Sequence, residues 1–251
     1  MGRQLILLMV AFQFLTRLPI PRLREFDPAW ISRSARYFPL VGEAVGAISA
    51  GVFLGASTIW PAGVAALLAV AAGVLVTGGF HEDGLADAAD GLGGGQDPAR
   101  RLEIMKDSRV GTYGVLALGL TLALKVAALA SLGPLAGALA LLAAHGAARG
   151  ASVLAMRLLP YVGDPESAKW KPAPIGPGMG EVAIALVLAA WPLVFLSPGV
   201  AGAGLLLGAA LALAPALLAR RLIGGHTGDV LGAVEQLFEL GFLLGVAALS
   251  G

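Results

Sequence analysis

The feature that most constrains this chain is a series of apolar segments, each long enough to cross a lipid bilayer. Crossing the hydrocarbon core takes about 20 consecutive apolar residues. Backbone N–H and C=O groups inside a bilayer must be satisfied within the segment, so such spans are α-helices. The segments are residues 37–59, 62–80, 112–132, 134–157, 181–197, 199–219 and 229–249. The sequence therefore predicts an all-α, polytopic membrane bundle of about seven transmembrane helices, with six as the alternative.

The composition supports this class and excludes others. Charged residues make up 13% of the 251 residues and hydrophobic residues 57%, whereas a soluble domain carries about 25% charged residues. The net charge of +1 gives no basic field for nucleic acid, and the lack of cysteine excludes disulfides and thiolate metal sites. We expect residues 1–251 to form a single membrane domain with a catalytic loop around residues 81–111.

Two apolar stretches are short. The N-terminal run, residues 5–15, is too short to span a bilayer and is expected to form an interfacial helix. Segment 181–197 is short and contains Pro192, so it is the least certain of the seven spans. The alternative is that it forms one hairpin with the segment that follows.

Basic residues occur in alternate connections between the apolar segments, and the other connections carry no charge. Under the positive-inside rule, this alternation predicts an inner-membrane protein whose N-terminus and long loops are cytoplasmic. Nearly every polar group then lies on one side of the membrane. This one-sided distribution favours chemistry on cytoplasmic substrates over transport through both leaflets.

An acidic cluster follows the second segment. Asp83, Asp87 and Asp90 stand at i, i+4 and i+7, which on a helix places three carboxylates on one face. Like charges at this spacing destabilise a helix, and a bound cation removes the repulsion. Oxygen ligands without cysteine favour Mg²⁺ or Mn²⁺ over zinc. We predict that the three aspartates bind Mg²⁺, with Glu82 as a fourth ligand or a neighbour; the alternative is a solvated acidic loop.

A basic and hydroxyl-bearing segment comes next. Lys106, Ser108 and Arg109 are candidate substrate contacts, whereas Arg100 and Arg101 are expected to anchor the chain at the membrane surface. Phosphoryl transfer combines a divalent metal with Arg or Lys side chains that stabilise charge on the phosphate oxygens. The two neighbouring segments together predict a phosphotransferase.

The residues of both segments resemble the signature of the cobalamin synthase family. The resemblance covers residues 79–91 (GFHEDGLADAADG), 103–114 (EIMKDSRVGTYG), 14–19, 37–43 and 225–233. It implies a Mg²⁺-dependent membrane transferase, adenosylcobinamide-GDP ribazoletransferase. Such an enzyme moves the cobinamide phosphoryl group of adenosylcobinamide-GDP onto the 5′ position of α-ribazole or its 5′-phosphate and releases GMP, the last assembly step of cobalamin.

Two other functions remain open at this point. A CDP-alcohol phosphotransferase that makes phospholipids would share the metal chemistry, although Ala86 and Asp87 stand where that family has Ala-Arg. A cation-coupled transporter would explain the ionisable residues within the apolar segments. Release of GMP, of CMP or of neither would separate the three functions.

Ionisable residues inside a membrane each cost about 2.5–3.5 kcal/mol or more, so each is expected to face a partner or a polar cavity. Such residues in or near the apolar segments are Glu43, Lys125, His145, Arg149, Glu235 and Glu239. Glu43 and Arg149 are candidate substrate-binding residues. Arg149 or Lys125 is also expected to pair with the two later glutamates, and His145 is expected to be a hydrogen-bonded packing residue.

Two further aspartates are candidates for the catalytic site. Asp107 or Asp229 could orient or deprotonate the acceptor hydroxyl; Asp229 could equally be the N-cap of the last helix. Glycines at four-residue spacing are expected to allow close packing, mainly within the bundle but also between protomers of a homo-oligomer. They are Gly42 with Gly46, Gly51 with Gly55, and Gly204 with Gly208.

Overall fold

The computed structural model of the chain describes residues 2–21, 23, 27, 29–163 and 176–250, and within these ranges every regular element is a helix. The all-α prediction is therefore confirmed. The helices are α1 (Arg3–Leu15), α2 (Ala29–Ser34), α3 (Phe38–Ser57), α4 (Ala62–Thr77), α5 (Phe80–Gly94), α6 (Pro98–Met105), α7 (Thr112–Ala130), α8 (Pro134–Leu158), α9 (Met179–Ala190), α10 (Pro198–Ile223) and α11 (Gly228–Leu249). A 3₁₀ turn, Ala35–Tyr37, joins α2 to α3, and another, Trp191–Phe195, follows α9.

Among the described residues, five helical stretches are long and apolar enough to cross a membrane. They are Ala29–Ser57, which includes α2 and α3, and helices α7, α8, α10 and α11. A sixth passes if α4 and α5 are counted together, which agrees with the alternative of six spans and is one fewer than the seven segments of the sequence. Helix α1 is apolar but short, as expected for an interfacial helix.

The predicted second span is shortened by a sharp bend. Helix α4 ends at Thr77 after 16 residues, about 24 Å at 1.5 Å per residue, against a hydrocarbon core of about 30 Å. Gly78 and Gly79 follow with φ of 70° and 69°, a left-handed backbone that residues with a side chain rarely adopt. Helix α5 then runs at 90° to α4. The acidic cluster therefore lies across the end of the bundle.

The predicted fifth span is shortened by a different break. Helix α9 is α-helical only to Ala190, and the chain then tightens into the 3₁₀ turn that contains Pro192. Proline has no N–H to continue the α-helical hydrogen bonds. Met179–Phe195 is thus a shorter apolar helix and falls below the length of a span.

Helices α8 and α11 form the interior of the bundle. In their apolar windows 78% of the residues are buried, against 28% in α7 and α10, whose leucines project outward. Close glycine contacts hold the interior together, as predicted for two of the three glycine pairs. Gly42 and Gly46 pack on the backbone of α8, and Gly204 and Gly208 pack on phenylalanine rings of α11. The outward-facing leucines are the surface expected of a membrane protein.

Candidate active site

Helix α5 carries the acidic cluster, and its ends explain why this charged sequence is helical. Glu82 and Asp83 lie in its first turn, where negative charge is favoured by the helix dipole. At the other end, the Arg101 guanidinium donates a hydrogen bond to the backbone carbonyl of Leu92. Arg101, predicted only as a surface anchor, therefore stabilises the last turn of α5. The predicted helical spacing of the three aspartates is confirmed.

The three aspartates differ in their surroundings. Asp83 is exposed, Asp87 is half-buried and Asp90 is only 8% exposed. Asp90 Oδ2 accepts a hydrogen bond from the backbone N–H of Gly111 at 2.7 Å, and Oδ1 accepts one from Gly114 at 2.9 Å. These N–H groups lie at the start of α7 and have no partner inside that helix. Asp90 therefore caps α7, and its predicted part in metal binding stays a prediction.

Helix α5 packs directly on the first turns of α11. The two backbones meet at Gly84 and Gly232, and Asp229 lies beside Gly84. Asp229 is not the N-cap of α11. That position is held by Thr227, whose Oγ1 accepts the backbone N–H of Val230 at 3.3 Å, because the helix begins two residues earlier than a cap at Asp229 would require. Asp229 stands in the first turn, next to the acidic helix.

The segment between α6 and α7 contains a tight ion pair. The Arg109 side chain donates to both carboxylate oxygens of Asp107, the shortest contact being 2.6 Å from Nη2 to Oδ2. The hydrogen bonds from the Arg109 side chain lower the pKa of Asp107 to about 2. A carboxylate this acidic is a weak base at neutral pH, so the geometry disfavours Asp107 as the general base. Lys106 and Ser108 are exposed beside this pair.

Other contacts bring the remaining polar connections to the same end of the bundle. The backbone N–H of His226 donates to Pro160 at 2.8 Å, and that of Val162 donates to His226 at 3.0 Å. Burial lowers the pKa of His226, although a hydrogen bond with the Thr227 carbonyl acts in the opposite direction. We call α5, α6 and the connections 106–111, 160–162 and 224–227 the polar end. Its assembly confirms that residues 106–109 lie on the same side as α5.

Below the polar end lies a cluster of buried charges, which we call the ion cluster. It contains Lys125 of α7, His145 and Arg149 of α8, and Glu235, Gln236 and Glu239 of α11. Lys125 Nζ lies 2.6 Å from Glu239 Oε2, and Arg149 Nη1 lies 2.7 Å from Glu235 Oε1. The predicted pairing of both basic residues with these glutamates is confirmed. His145 is part of the cluster, since its Nδ1 lies 2.6 Å from Glu239 Oε1.

Arg149 occupies the centre of a set of metal-type ligands. Among the residues that the structure describes, only His145, Glu235 and Glu239 bring three His or carboxylate ligand atoms within 4.8 Å of one another. The Nη1 atom of Arg149 lies 2.7 Å from Glu235 Oε1, 3.0 Å from Glu239 Oε1 and 3.2 Å from His145 Nδ1. The guanidinium thus takes the place a metal would need. With the Arg149 residue 2% exposed, its predicted contact with substrate stays a prediction.

Two connections run from this interior to neighbouring helices. Gln236 Nε2 donates to Glu82 Oε1 of α5 at 3.0 Å, which joins the ion cluster to the acidic helix. Glu43 of α3 is 5% exposed, and its Oε2 accepts a hydrogen bond from Trp191 Nε1 at 2.8 Å. Sequence reasoning missed both Gln236 and Trp191. A polar residue between two intramembrane glutamates was the available signal for Gln236, whereas nothing in the sequence connects Trp191 to Glu43.

Magnesium suits part of the predicted ligand set. Glu82, Asp83 and Asp87 offer oxygen atoms only, and Glu82 Oε2 is buried without a hydrogen-bond partner. Mg²⁺ is commonly bound by one or two carboxylates together with substrate phosphates, so a compact protein cage is not required. Both oxygens of Asp90 already accept an amide hydrogen. The first two turns of α5 therefore fit the ion better than its third.

The sequence model of the family described as cobalamin-5-phosphate synthase matches residues 7–247. A protein of Leptothrix cholodnii named adenosylcobinamide-GDP ribazoletransferase is 46% identical, with 95% of this chain and 94% of that protein covered. Proteins of the same name from Shewanella amazonensis and Shewanella baltica are 46% and 43% identical over 95% of this chain, covering 93% and 92% of their own lengths. No solved structure gives a significant match.

Proposed function

The chain belongs to the cobalamin-5-phosphate synthase family, and we propose that it catalyses the reaction for which its curated relatives are named, adenosylcobinamide-GDP ribazoletransfer. Membership makes the chain a transferase of cobalamin synthesis. The observation that carries the proposal is a family match over nearly the whole chain. The membership supports neither a phospholipid-making enzyme nor a transporter.

The reaction we propose breaks one bond of a diphosphate and makes one phosphate ester. An acceptor hydroxyl of α-ribazole, or of its 5′-phosphate, attacks the phosphorus that carries cobinamide. The P–O bond to the GMP phosphate breaks, GMP leaves, and the hydroxyl proton passes to a base or to water. The family description names a product with a 5-phosphate, so with the phosphorylated acceptor the attacking oxygen is another ribose hydroxyl. This replaces the 5′ position expected from the sequence.

The residues of the polar end have separable tasks in this proposal. Glu82, Asp83 and Asp87 would hold Mg²⁺, which when bound neutralises charge on phosphate oxygens. Lys106, Ser108 and Arg109 contact phosphate oxygens, with Arg109 oriented by Asp107. Asp229 is then the remaining candidate to accept the hydroxyl proton, since it lies beside Gly84, the residue that follows Asp83 in α5.

The polar end is proposed to face the cytoplasm of a bacterial inner membrane, where nucleotide-activated substrates are soluble. The distribution of basic residues supports this orientation. Outward-facing leucines on α7 and α10, such as Leu120 at 63% and Leu206 at 74% exposure, contact lipid. A homo-oligomer through Gly51 and Gly55 remains a proposal, supported by the open space beside both glycines.

The test is a donor comparison with purified protein in detergent or liposomes. With adenosylcobinamide-GDP and α-ribazole or its phosphate, we expect release of GMP in equal amount to the corrinoid product. EDTA should stop the release and Mg²⁺ should restore it. CMP release from a CDP-activated lipid would instead identify a phospholipid enzyme, and cation flux without nucleotide release would identify a transporter.

A further inference from the structure

The chain that follows α1 is attached to the bend between α4 and α5 through Arg17. The backbone N–H of Arg17 donates to the Val76 carbonyl at 2.8 Å. Val76 lies in the last turn of α4, where the carbonyls have no partner inside the helix. Just upstream, the ring of Phe14 packs edge-on against Phe80, the first residue of α5, with ring centroids 5.4 Å apart. Arg17 is therefore fixed at the point where the acidic helix begins.

The side chain of Arg17 lies along this bend. A Cβ at Gly78 would stand 2.5 Å from Arg17 Nε and 2.8 Å from Arg17 Cγ. The arginine stem thus occupies the space that any other residue at position 78 would need for its own side chain. Gly78 also has a φ of 70°, which favours glycine. The bend both turns the chain and holds the guanidinium beside the start of α5.

The guanidinium of Arg17 is left available for a ligand. Arg17 is exposed, and within the part of the chain that the structure describes its side chain makes no hydrogen bond or ion pair. The backbone N–H of Arg17, not its side chain, caps the end of α4. By contrast, Arg101 donates to the Leu92 carbonyl, and Arg109 is paired with Asp107. An arginine presents its donors in a rigid fork that matches phosphate oxygens, so a positioned but unpaired one suits an anionic ligand.

The aspartate face of α5 begins next to this arginine. The backbone N–H of Asp83 donates to the Gly79 carbonyl at 2.9 Å, so Asp83 lies one helical turn from the bend. Connection 106–111 meets α5 at Asp90, about 10 Å further along the helix at 1.5 Å per residue. Arg17 therefore adjoins the first turn of the aspartate face, and the other basic segment adjoins its third turn.

We propose that Arg17 contacts the diphosphate of the nucleotide-activated donor, on the side of the first turn of α5. The inference rests on the proposed function, since it takes the aspartate face as the place where the diphosphate binds. A diphosphate ester carries negative charge on both phosphates, and a positive side chain at each end of the site neutralises both. Arg17 binds the phosphate nearer the bend, and a ligand without phosphate gains nothing from it.

The test separates phosphate contact from folding. Binding of GDP with Mg²⁺ to the purified full-length protein in detergent is measured by isothermal titration calorimetry, together with thermal unfolding. Arg17→Gln keeps a polar side chain and removes the charge. We expect it to weaken GDP binding about tenfold, the factor that corresponds to one charge-assisted hydrogen bond. Guanosine, added as a competitor of GDP, should bind the variant and the wild type equally, because it carries no phosphate.

Arg157→Gln is the matched control. Arg157 is an exposed arginine in the last turn of α8, so this change also removes a cation from the C-terminal end of a helix. Weaker GDP binding by Arg17→Gln, with normal GDP binding by Arg157→Gln, supports the inference. Equal losses in the two variants, or an equal loss of guanosine and GDP binding in Arg17→Gln, would overturn it.

A second variant keeps the inference testable if Arg17→Gln does not fold. Arg17→Lys retains the charge and loses the fork, so it should bind GDP more weakly than the wild type while guanosine binding stays the same. Wild-type affinity for GDP in Arg17→Lys would then contradict the contact.

The two proposals fail in different ways. If the wild-type protein binds no GDP and releases no GMP from adenosylcobinamide-GDP, the proposed function is wrong and the inference falls with it. If the wild type releases GMP but Arg17→Gln binds GDP as tightly as the wild type, only the inference is overturned.

Discussion

Asp90 Oδ2, on α5, accepts a hydrogen bond of 2.7 Å from the backbone N–H of Gly111, the residue that precedes α7. The same carboxylate also holds Gly114. Because connection 106–111 ends at this contact, Asp90 fixes the distance between the acidic helix and the Lys106 to Arg109 segment. One of the predicted metal ligands thus has a clear role in assembling the polar end.

We expect Asp90→Asn to lower stability. The amide nitrogen of asparagine cannot accept an N–H, so at least one buried charge-assisted hydrogen bond is lost, worth about 1.5–3 kcal/mol. The thermal unfolding midpoint in detergent should fall, and it should fall further than for Asp83→Asn, because Asp83 is exposed. An unchanged midpoint for Asp90→Asn together with loss of Mn²⁺ binding would return Asp90 to the ligand set.

We expect Asp87→Ala to abolish transfer while the protein stays folded. Removing a carboxylate proposed to hold Mg²⁺ would leave the diphosphate charge uncompensated, so GMP release should fall at least about 100-fold. Asp97→Asn is a matched control, because Asp97 is an exposed N-cap of α6 that accepts the Arg100 N–H at 2.9 Å. Normal GMP release by Asp87→Ala would remove Asp87 from the site.

Because Asp107 is paired with Arg109, we expect the pH dependence of GMP release to be the same in Asp107→Asn as in the wild type. Hydrogen bonds from the Arg109 side chain lower the pKa of Asp107 from 3.8 to about 2. The pair is therefore complete above pH 3.8 and is lost only as the pH falls through about 2. Between pH 5 and 9, profiles of GMP release for the wild type and Asp107→Asn should be parallel. We expect a higher KM for the donor and a kcat within about twofold.

A different pH profile would identify Asp107 as the base after all. In that case, Asp107→Asn would lower kcat by about 100-fold to 10,000-fold and remove the acidic limb of the profile. Lys106→Met, which changes a neighbouring exposed residue and leaves the ion pair intact, serves as the comparison.

Removing the Arg149 guanidinium should convert the ion cluster into a metal site. Arg149→Ala leaves two buried glutamates without their central cation, and breaking a buried pair costs about 3–5 kcal/mol. Because His145, Glu235 and Glu239 keep three ligand atoms within 4.8 Å, Zn²⁺ should bind there and restore part of the lost unfolding temperature. The added His145→Ala should abolish that recovery. A Zn²⁺ effect of equal size on the wild type would contradict the assignment.

The sequence was sufficient for the features that depend on local composition. Apolar length predicted the all-α bundle, and helical spacing placed the acidic residues of α5 on one face. The cost of intramembrane charge predicted that Arg149 and Lys125 would meet Glu235 and Glu239. Apolar length and helical spacing are properties of a single segment, and every charged residue in a membrane needs a partner or a polar cavity.

Other features depend on contacts between distant residues and could not be predicted this way. The structure has fewer helices of spanning length than the sequence has apolar segments, in part because Gly78 and Gly79 turn the chain inside a continuous apolar stretch. Asp90 resembles Asp83 in the sequence, and only the approach of α7 distinguishes the two. Gln236 looks like an isolated polar residue until α5 and α7 are packed on either side of it.

The right-angle turn at Gly78 and Gly79 also sets how far the acidic residues of α5 stand from the rest of the bundle. A straight continuation of α4 would carry the 15 residues of α5 about 22 Å outward as a solitary rod in water. Folded flat, the same residues lie against α11 and beside the first turn of α7. Two residues without side chains thus keep the acidic helix next to its neighbours, instead of leaving it alone in solvent.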